Sequence, residues 1–171
     1  MDAATADDAR RRTVTWKDPA QTAQWAGKIS GKEFFEKLQS GELPPPPVVE
    51  LLGMSLDEVG EGRAVFALEP SECHYNPIGV VHGGVIATML DSAVGCAIHT
   101  TLPEGVAYTT LEIKINYLRA TTVKTGRIRA EGQVIHVGRK SAVAEGKVFD
   151  AHNKLIATCS TTCILMQVDR T

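Results

Sequence analysis

Aromatic residues are scarce in this chain: Phe, Trp and Tyr together make up 5% of its 171 residues. A core with so few rings has to be aliphatic and small, and hydrophobic residues at 43% can supply one. Net charge is scarce as well. Eighteen basic against twenty acidic side chains leave a formal charge of −2, which argues against a dedicated nucleic-acid binder, whose domain carries a strongly basic stripe. No run approaches the ~20 apolar residues of a membrane span. The opening MDAATADDARRR lacks the apolar segment of a signal peptide, so the cytoplasm is the expected location. Cys73, Cys96, Cys159 and Cys163 form no CxxC pair and no zinc-knuckle spacing. They read as reduced, buried thiols, and no metal site is expected. The length fits one domain, which leaves no cleft between domains in which to place a pocket.

What is there divides into a polar leader over residues 1–30 and a body over 31–171. Trp16 and Trp25 are candidates to pin the leader to the body, and Phe34, Phe35 and Leu38 predict a short helix over Gly31–Leu38. The prolines from Pro44 to Pro47 predict an extended connector. Strands are expected over Leu51–Val59 and Arg63–Leu68, joined at Gly60-Glu61-Gly62. The run from Val85 to Ile98 is almost wholly apolar and too long for one strand, so it predicts a helix that begins near Gly83 and is enclosed nearly all round. Further strands are expected over Tyr108–Arg119, Thr125–Val137, Lys140–Asp150 and Leu155–Met166. In the first of these, alternation sets Leu111, Ile113, Ile115 and Tyr117 against Thr110, Glu112, Lys114 and Asn116. Hairpin, helix and strand meander together predict an α+β fold, one antiparallel sheet wrapped around one central apolar helix.

Three features break this pattern. His82-Gly83-Gly84 opens the apolar helix, where the first amides lack internal partners and suit an oxyanion or a polarised carbonyl. Asp91 is a lone carboxylate in that helix, and an unpaired buried charge is usually paired or functional. Asn76, six residues before His82 in a Pro/Gly loop, is placed either to form a turn or to donate to a carbonyl. Gly83 and Asp91 are eight residues apart, about 12 Å along one helix, whereas reacting groups must lie within ~3–3.5 Å of each other. The two cannot serve one centre within a single chain. They can if two copies pack about a two-fold axis that pairs one Gly83 with the other's Asp91. Met89, Leu90, Ile98 and the region of Tyr108 are candidates to line an apolar pocket.

The segments NPIGVVHGGVIATMLDSAVG, YTTLEIKINYLRA and HVGRKSAVAEGKVFDAHNKLIATCSTTCILM, spanning roughly Phe34 to Met166, resemble the PaaI-type hotdog-fold acyl-CoA thioesterases. That resemblance implies a hotdog fold, a dimer with a continuous sheet that usually pairs into a dimer of dimers, and hydrolysis of an acyl-CoA thioester without metal or cofactor. By position it implies that Asn76 and His82 orient the thioester and that the Gly83 amide polarises its carbonyl. Asp91 is then nucleophile or general base, supplied across the interface, and Thr110 positions the lytic water. Leu118, Arg119 and the segment Val137, Gly138, Arg139, Lys140 and Ser141 fall in regions that line the CoA groove. There Arg139 and Lys140 are natural partners for phosphate. Two other readings stand beside hydrolysis. One is a hotdog hydratase or dehydratase that enlists His82. The other is a non-catalytic acyl-CoA sensor, for which the leader is too short and proline-broken to form a DNA-binding helix-turn-helix.

Overall fold

The computed structural model describes residues 10–168. The leader's first nine residues therefore lie outside the described residues. The elements, in chain order, are α1 (Ala20–Ala23), α2 (Gly31–Gln39), α3 (Pro47–Leu52), β1 (Met54–Gly60), β2 (Arg63–Leu68), α4 (Gly83–His99), β3 (Val106–Tyr117), β4 (Ile128–Val137), β5 (Ser141–Phe149) and β6 (Leu155–Gln167). The six strands form one sheet in the order β1-β2-β4-β5-β6-β3, every pairing antiparallel. The strands after α4 thus do not run as a simple meander. β3 leaves the end of α4 and pairs with β6, which makes it an outer edge of the sheet.

α4 lies against the inner face of this sheet. Met89, Leu90, Val94 and Ile98 are fully buried there, in one cluster with Phe66, Leu68, Ile128 and Val148. Each such side chain contributes ~1.5–3 kcal/mol of transfer free energy, so this contact dominates the core. Close approach is forced at two glycines. A Cβ at Gly132 would sit 2.3 Å from the Ala93 carbonyl oxygen, and one at Gly146 2.7 Å from Cys159 Sγ. The helix is not enclosed all round, however. Gly84 and Asp91 are exposed and Ala87 and Thr88 half-buried, so one stripe of α4 is left open.

Residues 47–52 are helical rather than strand-like. Pro47 occupies the first helical position, where its missing N–H costs nothing, and Gly53 ends the helix at φ 70. Strand β1 accordingly starts at Met54. Of the two tryptophans, Trp25 packs with Phe34, Phe35 and Leu43, whereas Trp16 is 59% exposed. The end of the leader is held by its backbone, with Gly105 donating to the Gly27 carbonyl (2.8 Å), and Gly31 at the start of the body donates to Leu102 (2.9 Å). All four cysteines are free thiols, but Cys73 is exposed, next to Arg12 on the surface.

Candidate active site

The N-terminus of α4 is built by the side chain just before it. His82 is the N-cap, and its Nδ1 accepts from the Gly84 amide at 2.8 Å. That bond places the ring proton on Nε2, which points a free donor outward. The Gly83 amide, one turn short of any helical acceptor, has no partner among the described residues. Its carbonyl is held by the Tyr117 hydroxyl, which donates to it at 3.0 Å. The two glycines are crowded to different degrees. A Cβ at Gly83 would meet the Tyr117 ring at 3.3 Å, and one at Gly84 would meet His82 Nδ1 at 2.9 Å. The pair thus allows close packing and also leaves an amide uncovered.

Asn76 is both a turn residue and a donor. Its Oδ1 accepts from the amides of Ile78 (3.1 Å) and Val80 (3.3 Å), and its own amide donates to the Val80 carbonyl (2.8 Å). With Oδ1 occupied in this way, the carboxamide NH2 faces away from the turn, free to donate.

Asp91 departs from the sequence expectation of a buried charge: in the single chain it is exposed, on the open stripe of α4. It is nevertheless partnered, with Thr110 Oγ1 donating to Asp91 Oδ1 at 3.1 Å. Strict alternation along β3 would turn Thr110 away from the helix, together with Glu112. A bulge at Leu111, between Thr110 and Glu112 in the register with β6, resets the phase. Tyr108 and Thr110 therefore share the helix-facing side with Ile113, Ile115 and Tyr117, and the bulged Leu111 is 61% exposed.

The remaining candidates fall into two groups at opposite ends of the sheet. Leu118 and Arg119 follow β3 beside Tyr117 and the Gly83 end, and the Arg119 side chain donates to the Leu155 carbonyl at 3.0 Å. Val137 to Ser141 form the β4–β5 turn, closed by Gly138 N–H donating to the Ser141 carbonyl at 2.8 Å, with Arg139 and Lys140 exposed. Ser141 is in register with Ile164 and Ile164 with Thr109, so this turn lies level with the Asp91 end. One chain does not bring the two groups together. Nor does it bring Gly83 to Asp91, since α4 is a single helix from Gly83 to His99.

Met89, Leu90 and Ile98 line no pocket; they are core residues with no exposure. The stripe of α4 that does border a cavity is Ser92, Cys96 and His99. Burial raises the Cys96 thiol to about 12, with the nearby Asp91 charge adding to it. Burial lowers His99 to about 4, so neither group is charged near neutrality. Tyr117 and His99 are the site-lining residues that sequence reasoning missed. Both are part of regular apolar patterns, and nothing local distinguishes them. No group of three or more His, Cys, Asp or Glu side chains able to hold a metal occurs among the described residues.

An antiparallel sheet wrapped on one long helix, with a free amide at its start and a carboxylate two turns in, defines an α+β hotdog protein. A model described as the Thioesterase superfamily matches residues 78–157. The 1,4-dihydroxy-2-naphthoyl-CoA hydrolase of Listeria monocytogenes is 29% identical over 116 residues, 68% of this chain and 91% of that protein. The solved structure of conserved protein PA5202 from Pseudomonas aeruginosa is 32% identical, with a TM-score of 0.67 over 71% of this chain and 95% of that one. The E. coli PaaI protein shares the fold, with a TM-score of 0.69 over 82% of this chain and 96% of its own at 21% identity. The chain belongs to the thioesterase superfamily, as the resemblance in its sequence implied. The matched segment holds every candidate site residue except Asn76, which falls two residues before it.

Proposed function

We propose that this protein hydrolyses an acyl-CoA thioester to the free acid and CoA, at a site shared across a homodimer. The observation that carries the reading is the placement of a free Gly83 amide and a Thr110-held Asp91 on one helix, too far apart to meet within a chain. Hydrolysis as the reaction class follows from the superfamily and from relatives that are named thioesterases. The CoA ester is inferred from one relative, which is named as a CoA-ester hydrolase, and from the exposed Arg139 and Lys140 as phosphate partners.

The geometry of the single chain supports the dimer. Gly83 touches Tyr117, Asp91 touches Thr110, and a Cβ at Gly95 would touch Tyr108, so α4 and β3 run side by side in opposite directions. A two-fold axis that pairs Gly83 with the partner subunit's Asp91 must pass level with Ala87. On β3 the same axis falls midway between Thr110 and Tyr117, at Ile113 and Lys114. β3 is an unpaired sheet edge, so two copies about this axis pair antiparallel and join their sheets. The open stripe of α4 consists of Gly84, Ala87, Thr88 and Asp91, and such small side chains let two helices approach closely. The axis also brings Leu118 and Arg119 of one chain level with Thr109, and hence with Ser141 and its turn, in the other. One operation therefore unites both separated pairs. The outer sheet face carries exposed Ile164 and Met166, which suits pairing of dimers into a tetramer.

In the shared site, the Gly83 amide and the positive end of α4 hold the carbonyl oxygen as it gains charge. The Asn76 NH2 and His82 Nε2–H are donors at the same end that orient the thioester. The partner subunit's Asp91 either attacks the carbonyl carbon, giving an acyl anhydride that water cleaves to the free acid once CoA has left, or takes a proton from a water, steered by the partner's Thr110, that attacks the same carbon. The C–S bond then breaks and CoA departs as a thiolate, a leaving group that needs no strong acid. The cytoplasm is the matching compartment, and among the described residues no helix is long and apolar enough to cross a membrane.

The test is thiol release over a panel of acyl-CoA esters, run with wild type and with Asp91→Asn. Free CoA from wild type and a loss of orders of magnitude in the variant are expected. An enoyl product from a 3-hydroxyacyl ester would instead indicate a dehydratase, and binding without CoA release a sensor. A monomer that turns over would contradict the shared site.

A further inference from the structure

Between the N-terminal helices and the far half of α4 lies a cavity of about 860 Å³ that the mechanism above does not use. One wall is the stripe Ser92, Cys96 and His99. With spacing i, i+4 and i+7, these side chains stack along one helix face over about 10 Å. The opposite wall is Phe34, Phe35 and Leu38 of α2 with Val49 of α3, all upstream of the segment that matches the superfamily. The cavity adjoins the proposed site. Ser92 follows Asp91 in α4, and Tyr108, which also lines the cavity, shares a face of β3 with Thr110.

The lining is mostly carbon; of its polar side chains Gln39, Glu50, Ser55 and Ser92 are at least partly exposed, and of the two buried ones Thr22 donates to the Pro44 carbonyl, which leaves His99. Its ring packs against Phe34, Phe35 and Tyr108 at centroid distances of 4.8, 5.4 and 5.5 Å. The residue is only 9% exposed, and its ring nitrogens are not sealed in the core, since among the described residues the one fully buried side-chain nitrogen or oxygen without a hydrogen-bond partner is Thr121 Oγ1. Buried polar side chains are nearly always paired, and this one opens on the cavity, where a ligand group can reach it. A neutral imidazole offers one donor and one acceptor, and burial keeps the ring neutral near pH 7. A neutral ligand group suits it, because a charged one would lose its hydration here against an uncharged partner.

We propose that this cavity receives the acyl group of the thioester and that His99 determines specificity by hydrogen-bonding a neutral polar group, such as a hydroxyl, at the far end of that acyl group. The identity of the substrate as a thioester rests on the reading in the preceding subsection. His99 lies eight residues beyond Asp91, about 12 Å along the axis. Both side chains tilt toward the N-terminus alike, so the span stays at about 12 Å, of which the hydrogen bond to His99 itself covers ~2.9 Å. A straight chain of about eight carbons covers the rest, and so does a phenylpropanoyl group bearing a ring hydroxyl.

Matched pairs test this: octanoyl against 8-hydroxyoctanoyl-CoA, and 3-phenylpropanoyl against 3-(4-hydroxyphenyl)propanoyl-CoA. Each is assayed by thiol release with wild type, His99→Phe and His99→Gln. The hydroxylated member of at least one pair is favoured about tenfold in kcat/KM by wild type, and the favoured pair tells a straight chain from a ring. His99→Phe brings that ratio to about one, and His99→Gln, which keeps a neutral donor and acceptor, retains part of it. A ratio near one for both pairs in wild type, or a ratio unchanged in His99→Phe, overturns the proposal. Binding of the corresponding free acids, followed on the ¹⁵N-labelled His99 ring, needs no turnover. A ring shift confined to the hydroxylated acid supports the site even if no thioester is cleaved, an outcome that would refute only the hydrolase reading. Equal shifts from both acids of each pair overturn the proposal.

Discussion

Replacing Gly83 with proline removes one N–H from the proposed site and very little else. Gly83 is the first residue of α4, the position at which proline's missing donor and fixed φ are best tolerated. The residue before a proline has to be extended, and His82 already is, at φ −60 and ψ 135. The His82–Gly84 cap is untouched, since it uses the Gly84 amide. The one steric demand is at the Tyr117 ring, 3.3 Å from where the new Cβ would stand. Tyr117 is half-exposed at the chain's surface, so the ring can yield by a few tenths of an ångström. The fold should therefore persist, with a melting temperature within a few degrees of wild type. Catalysis should not. Loss of one oxyanion donor costs about 10²–10³ in kcat, and here the donor is a backbone amide with no substitute on the same turn. Steady-state thiol release on the best acyl-CoA, with melting followed in parallel, measures both. A folded Gly83→Pro protein with kcat within about threefold of wild type would show that the amide holds no developing charge and would remove it from the mechanism.

Two further predictions rest on particular contacts. Thr110→Val keeps the shape of the side chain but deletes the donor to Asp91, a hydrogen bond to a charged group that is worth about 1.5–3 kcal/mol; kcat should fall at least about tenfold while Thr110→Ser restores most of it, and a valine variant at wild-type rate would rule out a steering role. His99 bears on stability. Its folded pKa is about 4 against about 6.5 in the unfolded chain, so the unfolded state binds the extra proton between those values. Stability should then be full above pH 6.5 and decline as the pH falls toward 4, by up to about 3 kcal/mol. His99→Phe should flatten that limb of a denaturation series, and an identical slope in the variant would contradict the burial argument.

Much of this architecture is legible in the residues. The apolar run from Val85 to Ile98 is too long for a strand, and Asp91 stands out within it because carboxylates are costly among such neighbours. The limit on the distance from Gly83 to Asp91 needs only the helix rise. Other features are hidden for physical reasons. The bulge at Leu111 is a backbone choice that alternation does not encode, so Thr110 reads as facing away from Asp91 when it faces toward it. The crossover of β3 to β6 is set by sheet closure over α4, a long-range condition with no local sign. Helix α3 is short and rich in β-branched valine, so its residues look like the start of β1, and only Pro47 and Gly53 mark its ends. The stripe Ser92, Cys96 and His99 is lost within an apolar helix. It becomes visible only when the N-terminal helices are seen to leave a cavity over it, and their residues give no sign of that partnership.

The shared site is tested most directly by mixing two inactive proteins. Gly83→Pro and Asp91→Asn each disable both sites of their own homodimer. If each site takes Gly83 from one chain and Asp91 from the other, a heterodimer of the two variants has one doubly damaged site and one intact site. Equal amounts of the two, unfolded together and refolded, put half of the chains into heterodimers, so about one quarter of wild-type activity should return. Sedimentation confirms that the mixture is dimeric or larger. Recovery near one quarter is the predicted result. Activity that stays at the level of the separate variants, in a mixture shown to have exchanged chains, would mean that each site lies within a single chain, and would contradict the account.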